Sequence, residues 1–210
     1  MDKIKFGTDG WRAIIAKEFT VENVARVSEA TGLWLQKNYE NPTVFVGHDC
    51  RFAGELFMET SVKVFLKMGL NVRMSRGFVS TPMVSLAANR FNCQIGVVLT
   101  ASHNPPSYNG YKLKADFGGP LAPEHVQQVE DLIPDACTID YSNIDLDAHL
   151  EGGKLIVDDI ETMYVDHVKT NFDLDAIQSS GLKLIGSWSL AFKTFFGVTY
   201  NGVWIISLRY

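Results

Sequence analysis

An α/β fold, built on a mainly parallel but mixed sheet flanked by helices, is predicted by three features of the sequence. Short apolar runs rich in β-branched residues (Thr43-Val44-Phe45-Val46, Leu70 to Met74 and Ile95-Gly96-Val97-Val98-Leu99) have the length and composition of buried strands. Stretches with helical spacing lie between them. Gly, Pro and Asn mark the boundaries between the two kinds of segment.

Taken in chain order, Thr20 is an N-cap, and Val24, Val27, Thr31, Trp34 and Leu35 recur at helical spacing, so a helix is predicted to about Asn38. Asn41-Pro42 ends it. The strand at 43–46 runs into the loop Gly47-His48-Asp49-Cys50-Arg51, whose Asp and Arg are expected to brace the fold or the loop around Ser102. A second helix is predicted from Gly54 to Met68, with Gly69 at the C′ position that favours left-handed backbone. Thr81-Pro82 opens a third, with proline in its first turn. After the strand at 95–99, Asn109-Gly110 reads as a tight turn and Tyr111-Lys112-Leu113-Lys114 as a strand emerging from it. Gly118-Gly119-Pro120 is a further turn, and Glu124 to Ile133 is helical. From Pro134 to Lys154 the pattern weakens and acidic residues accumulate, which predicts a wandering connection. Helical rhythm returns from Asp158 to Asn171 (Ile160, Met163, Tyr164, His167, Val168), and Leu182 to Ile185 reads as an opening strand. The expected organisation is a first domain over 1–135, a connection over 136–157, the start of a second α/β domain over 158–185, and an atypical segment over 186–210.

Composition narrows the function. The chain has 210 residues, 46% of them hydrophobic, and a net charge of −5, the profile of a soluble globular protein with a substantial core. Mild acidity argues against a nucleic-acid partner, which a basic face would serve. Met1-Asp2-Lys3-Ile4-Lys5 lacks the apolar core of a signal peptide, and no stretch is long and apolar enough for a membrane span. Cys50, Cys93 and Cys137 are odd in number, widely spaced and without a CxxC, which suits reduced thiols and a cytoplasmic location.

The chemistry concentrates after the strand at 95–99. Leu99-Thr100-Ala101-Ser102-His103-Asn104-Pro105-Pro106 puts a serine hydroxyl beside an imidazole, on a turn that Asn and two prolines keep irregular. That is the sheet edge where open α/β folds bind ligands. Ser102 there is a candidate nucleophile or phosphate carrier, with His103 able to hydrogen-bond its oxygen or a phosphate on it. The plainer alternative is a Ser-Asn-Pro turn whose side chains cap the backbone. Lys112, beyond the Asn109-Gly110 turn, is placed to fold back over the serine loop and neutralise phosphate or move a proton; a solvated lysine is the plainer reading. Phe6-Gly7-Thr8-Asp9-Gly10-Trp11-Arg12 is a glycine-punctuated loop in which backbone N–H groups and the Arg12 fork can meet an anion. Asp145, Asp147 and His149 would share one face of a strand, but the spacing of a calcium loop is not met, and a solvated acidic stretch is the reading taken. No Walker A, G-x-G-x-x-G or G-x-S-x-G motif is present.

Three blocks in order, FGTDGWR at 6–12, VGHDCRFAGE at 46–55 and TASHNPPSYNGYK at 100–112, resemble the α-D-phosphohexomutase superfamily, specifically its phosphoglucomutase/phosphomannomutase-like members. The likeness extends to about Ile185. It implies the superfamily's first domain and a mutase that interconverts hexose 1-phosphate and hexose 6-phosphate (glucose or mannose) through a phosphoserine and a bisphosphate intermediate. It makes Ser102 the phosphoserine, His103 its orienting neighbour, Lys112 the proton-transfer lysine and Arg12 a phosphate contact, with Asn104 and Asn109 shaping the loop. It implies Mg²⁺, ligated by Ser102 through its phosphate and by aspartates from a third domain, and hexose 1,6-bisphosphate as activator. Phosphoglucosamine mutase shares the serine loop and is the alternative within the superfamily.

The departures are equally definite. Family members have four domains; no DGDxDR-type metal loop, GE-x-SGH sugar loop or C-terminal phosphate clamp is found in this sequence. Little activity is therefore expected of this chain alone. Residues 186–210 carry no Asp or Glu, only Lys193 and Arg209 as charges, and many aromatic residues. The favoured reading is a chain whose native continuation was lost by truncation or a frame shift. The other is a non-catalytic module that keeps the domain fold and meets a partner, or itself, through 186–210.

Overall fold

The computed structural model describes residues 3–7 and 10–180. The strand expected at 182–185 and the segment 186–210 lie outside the described residues. The elements in order are β1 (Trp11–Ile14), α1 (Val21–Asn38), β2 (Thr43–His48), α2 (Gly54–Lys67), β3 (Asn71–Ser75), α3 (Thr81–Arg90), β4 (Ile95–Leu99), β5 (Tyr108–Ala115), α4 (Pro123–Asp131), α5 (Leu146–Glu151), β6 (Leu155–Asp158), α6 (Ile160–Asn171) and α7 (Leu174–Ser179). The strands make one sheet in the order β1-β5-β4-β2-β3-β6. Neighbours from β4 through β2 and β3 to β6 are parallel, and β5 and β1 join antiparallel at the other side. The expected α/β class, mixed and mainly parallel, is the one found.

Both faces of the sheet are covered, which is why its strands read as unbroken apolar runs. Side-chain alternation sends Val44, Val46, Val97 and Leu99 to a core with Val24, Trp34, Phe57 and Phe65 of α1 and α2. Phe45 and Val98 point the other way, to Met83, Val84 and Ala87 of α3 and Ile160 of α6. Gly96 lets α3 lie close on that face; a Cβ there would come 3.0 Å from Val84 and 3.2 Å from Ala88.

Local signals set the helix ends. Thr20 accepts from the Asn23 amide at the start of α1. After α2, Gly69 adopts φ +84°, and Gly69 and Leu70 donate to the carbonyls of Leu66 and Phe65. That double bond closes a Schellman turn, satisfying carbonyls the helix leaves over.

One expectation fails. Asn109-Gly110 is not a turn: both residues lie inside β5, and the chain reverses earlier, over 100–107, where Asn104 and Tyr108 donate to Ala101 and Pro105. Lys112 is therefore a mid-strand residue opposite Val98, not one folded back by a hairpin. The connection expected over 136–157 carries α5 and ends in β6, which pairs with β3 from Leu155 to Asp158. Asp145, Asp147 and His149 do not share a strand face, because Asp145 caps α5 and the other two lie within it.

An ion pair ties β6 to the sheet. Arg73 donates through Nε and Nη2 to the two Asp158 oxygens at 2.9 and 2.6 Å, with its guanidinium 4.0 Å from the Phe91 ring centroid. Asp158→Ala removes a two-pronged, partly buried acceptor and is expected to destabilise the chain by about 2 kcal/mol. Urea unfolding checks this; a midpoint unchanged from the parent would show that the pair does not hold β6.

Candidate active site

β4 delivers the serine loop to the carboxyl edge of the parallel strands, as the sequence placed it. Ser102 is half-buried and has φ +55°, a left-handed backbone unusual outside glycine. Its Oγ lies 3.4 Å from Nδ1 of the exposed His103, at the outer limit of a hydrogen bond. The seryl oxygen is thus not sealed into the core.

What holds the loop is Arg51. It is 7% exposed, and its Nη1 donates to the carbonyls of Pro105 and Tyr108, both at 2.9 Å. Its Nη2 donates to the carbonyls of Ser102 and Asn104 at 2.8 and 2.6 Å. Nε lies 3.6 Å from Asp49 Oδ2, an ion-pair distance rather than a hydrogen bond. Asp49, 1% exposed, also accepts from the Arg51 amide at 2.9 Å and from the Thr100 hydroxyl. Thr100 Oγ1 in turn accepts from the Ser102 amide at 3.1 Å. The bracing role expected of Asp49 and Arg51 is observed. The Thr100 link is new, since nothing in the sequence distinguishes that hydroxyl from any other threonine.

The first turn of α2 supports this arrangement. His48 Nδ1 lies 2.8 Å from the Asp49 carbonyl oxygen, and burial lowers the imidazole pKa below its ordinary value. A neutral ring with Nδ1 as donor satisfies both. Gly54 makes room for it, because a Cβ there would come 2.8 Å from that nitrogen.

The remaining predicted residues lie on β1 and β5, and of them Arg12 reaches the loop through Asn104. Arg12 stands opposite Gly110, and Gly110 and Lys112 share a strand face, so Arg12 and Lys112 share it too. Arg12 Nη1 reaches Asn104 Oδ1 at 3.2 Å. Lys112 is buried, and its stem packs under Gly10, where a Cβ would come 2.8 Å from Lys112 Cγ. Asn109 is wholly buried; its Oδ1 accepts from the Gly110 amide and its Nδ2 donates to the Phe52 carbonyl. A cleft of about 420 Å³ beside β1 is lined by Arg12 and Tyr108 together with Lys3, Lys5, Lys17 and Arg26, against the carboxylate of Glu18, which pairs with Lys17. Its cationic lining suits anionic ligands.

Among the described residues, no three or more His, Cys, Asp or Glu gather to hold a metal ion. These residues alone do not fit a resident cation. No described helix is long and apolar enough to cross a membrane. The described cysteines form no disulfide, and burial pushes the Cys93 thiol pKa up to about 12.

Comparison with known proteins agrees with this geometry. Residues 3–138 match the family model described as phosphoglucomutase/phosphomannomutase, alpha/beta/alpha domain I. A phosphoglucomutase/phosphomannomutase of Thermococcus kodakarensis is 36% identical over 174 residues, covering 82% of this chain and 37% of the relative. A phosphoglucosamine/phosphogalactosamine mutase of Sulfurisphaera tokodaii is 31% identical over 182 residues, covering 86% and 38%. A crystal structure described as a proposed phosphomannomutase from Thermus thermophilus superimposes with a TM-score of 0.79 at 34% identity, covering 92% of this chain and 42% of that one. The chain thus spans well under half the length of these relatives. With a matching first-domain fold, a matching family model over most of its length and the serine loop in place, the chain belongs to the phosphoglucomutase/phosphomannomutase family.

Proposed function

We propose that this chain is the phosphoserine-bearing part of a phosphohexomutase. It would act on hexose 1-phosphate and hexose 6-phosphate, of glucose or mannose, through a bisphosphate intermediate. The observation that carries the reading is Ser102 itself: a half-buried seryl oxygen at a sheet edge, on a left-handed turn clamped by a buried arginine, with Arg12 bonded to the same loop. Phosphoryl transfer needs positioning and charge neutralisation above all.

In the proposed step, the bond from phosphorus to Ser102 Oγ breaks as one from phosphorus to a sugar hydroxyl oxygen forms. Lys112 takes the proton that the hydroxyl gives up, Arg12 contacts phosphate, and His103 orients the seryl oxygen. Asn104 and Asn109 keep the loop in shape. Magnesium would meet this chain only through the Ser102 phosphate, its carboxylate ligands coming from elsewhere, and no step is assigned to it. Hexose 1,6-bisphosphate is the proposed activator. The division into a first domain ending near 135 and a second opening near 158 belongs to the same proposal, as do a cytoplasmic location and self-association through 186–210. An amino-sugar substrate is the second reading, favoured by the relatives named for phosphoglucosamine.

Intact-mass measurement of the chain treated with glucose 1,6-bisphosphate is expected to find one phosphoryl group, lost in Ser102→Ala. Phosphate that survives that substitution would overturn the assignment. With Mg²⁺ and the bisphosphate present, conversion of glucose 1-phosphate to glucose 6-phosphate is expected to stay far below ordinary enzyme turnover of about 10 s⁻¹, since these residues span 37% and 38% of the curated relatives.

A further inference from the structure

We infer that Arg51 is a positioning residue that turns the His103 amide outward, as a hydrogen-bond donor to a phosphoryl group at Ser102. This rests on reading Ser102 as the phosphate carrier. In a trans peptide, the C=O of one residue and the N–H of the next point in opposite directions, and the described chain has no cis peptide. The Ser102 carbonyl is directed at Arg51 Nη2 at 2.8 Å. Arg51 is buried beneath the loop, so the His103 N–H faces away from the guanidinium, toward the outer side.

The same clamp decides which of the loop's backbone groups an incoming anion meets. Carbonyls repel a phosphate, and Arg51 draws those of Ser102, Asn104, Pro105 and Tyr108 inward. The peptides after Asn104 and Pro105 have no N–H to offer, because prolines follow. The Ser102 and Asn104 amides are committed to Thr100 Oγ1 and the Ala101 carbonyl. Of the amides between 102 and 106, that of His103 is therefore the one the clamp leaves for an anion. Backbone N–H donors fixed in advance at a site of negative charge need no reorganisation when the charge arrives. Ser102 holds its left-handed φ with its amide on Thr100 Oγ1 and its carbonyl on Arg51.

The test is an amide NMR titration of the whole chain with inorganic phosphate. In the parent protein, the His103 amide is expected to move downfield saturably. In Arg51→Ala that response is lost while the β2 and β4 amides keep their positions, and added guanidinium ion restores it. Arg51→Lys retains the charge but not the fork; it also loses the response and carries the comparison should Arg51→Ala fail to fold. A His103 amide that ignores phosphate in the parent chain, or responds unchanged in the folded variants, overturns the inference. Phosphate found on Ser102 by mass beside an unresponsive His103 amide would sink this inference and leave the proposed function standing. A responsive amide on a serine that never accepts phosphate would sink the proposed function, and this inference with it, leaving the His103 amide a donor to free phosphate only.

Discussion

Gly110→Ala is expected to destabilise this chain by about 3 kcal/mol, the upper end for adding a single methyl group to packed structure. The reason is the position of β5 between β4 and β1. A Cβ at 110 would come 2.6 Å from the Thr100 carbonyl oxygen, 2.8 Å from the Trp11 carbonyl oxygen and 3.0 Å from Arg12 Cγ. Two of these three atoms are backbone, one just past the end of β4 and one on β1, so no rotamer change relieves both. Either β1 moves away, taking Arg12 with it, or the base of the serine loop opens at the bond from the Thr100 amide to the Gly110 carbonyl. Gly77→Ala is the control, since nothing lies within 4 Å of a Cβ there, and it is expected to stay within about 0.5 kcal/mol of the parent. Urea midpoints of the two variants make the comparison; equal midpoints would show that Gly110 is not there for close approach. Phosphate loading of Ser102 is expected to fall in Gly110→Ala even under conditions where the chain remains folded.

The same glycine explains where reading the sequence succeeded and where it did not. Asn109-Gly110 has the local chemistry of a hairpin turn, and local chemistry is all that a dipeptide displays. The reason for Gly110 is a pair of carbonyl oxygens some ten and a hundred residues away, which leave no mark nearby. The central strands were legible because burial on both faces makes them uniformly apolar. β1 and β6, at the two sheet edges, have four residues each and too little pattern to stand out; β1 is also hidden inside the motif that names Arg12. Ser102, His103, Arg12 and Lys112 stand out through residue type and the family blocks, and their roles belong to the proposed function. The targets of Arg51 do not stand out, because its acceptors are main-chain carbonyls, which every residue has. Asp145 and Asp147 are exposed, as a solvated acidic stretch requires, and Asp145 accepts from the amides of Asp147 and Ala148 to start a helix.

Asp49→Ala is expected to destabilise more than any other substitution in the loop support, by about 3–5 kcal/mol. Removing the carboxylate leaves the Arg51 guanidinium buried with four carbonyl dipoles and no counter-charge. It also takes the acceptor from the Arg51 amide and the Thr100 hydroxyl, the group that holds the Ser102 amide. Asp49→Asn keeps an acceptor for the Arg51 amide and the Thr100 hydroxyl but strands the same cation, so most of the loss, about 3 kcal/mol, is expected to remain. The decisive measurement is the double variant. If the loss in Asp49→Ala is chiefly the burial of an unpaired cation, Asp49→Ala with Arg51→Met must be more stable than Asp49→Ala alone, because the second change removes the stranded charge. Strict additivity of the two losses would instead mean that Asp49 and Arg51 brace the loop independently. Stability and loop function then part company. The double variant regains folding energy but lacks the fork that gathers the carbonyls of Ser102, Asn104, Pro105 and Tyr108, so its Ser102 should load phosphate no better than Arg51→Ala does. A buried charge that weakens the fold when its partner is lost, yet cannot be replaced by a hydrophobe without losing the loop's shape, is retained for geometry rather than for stability.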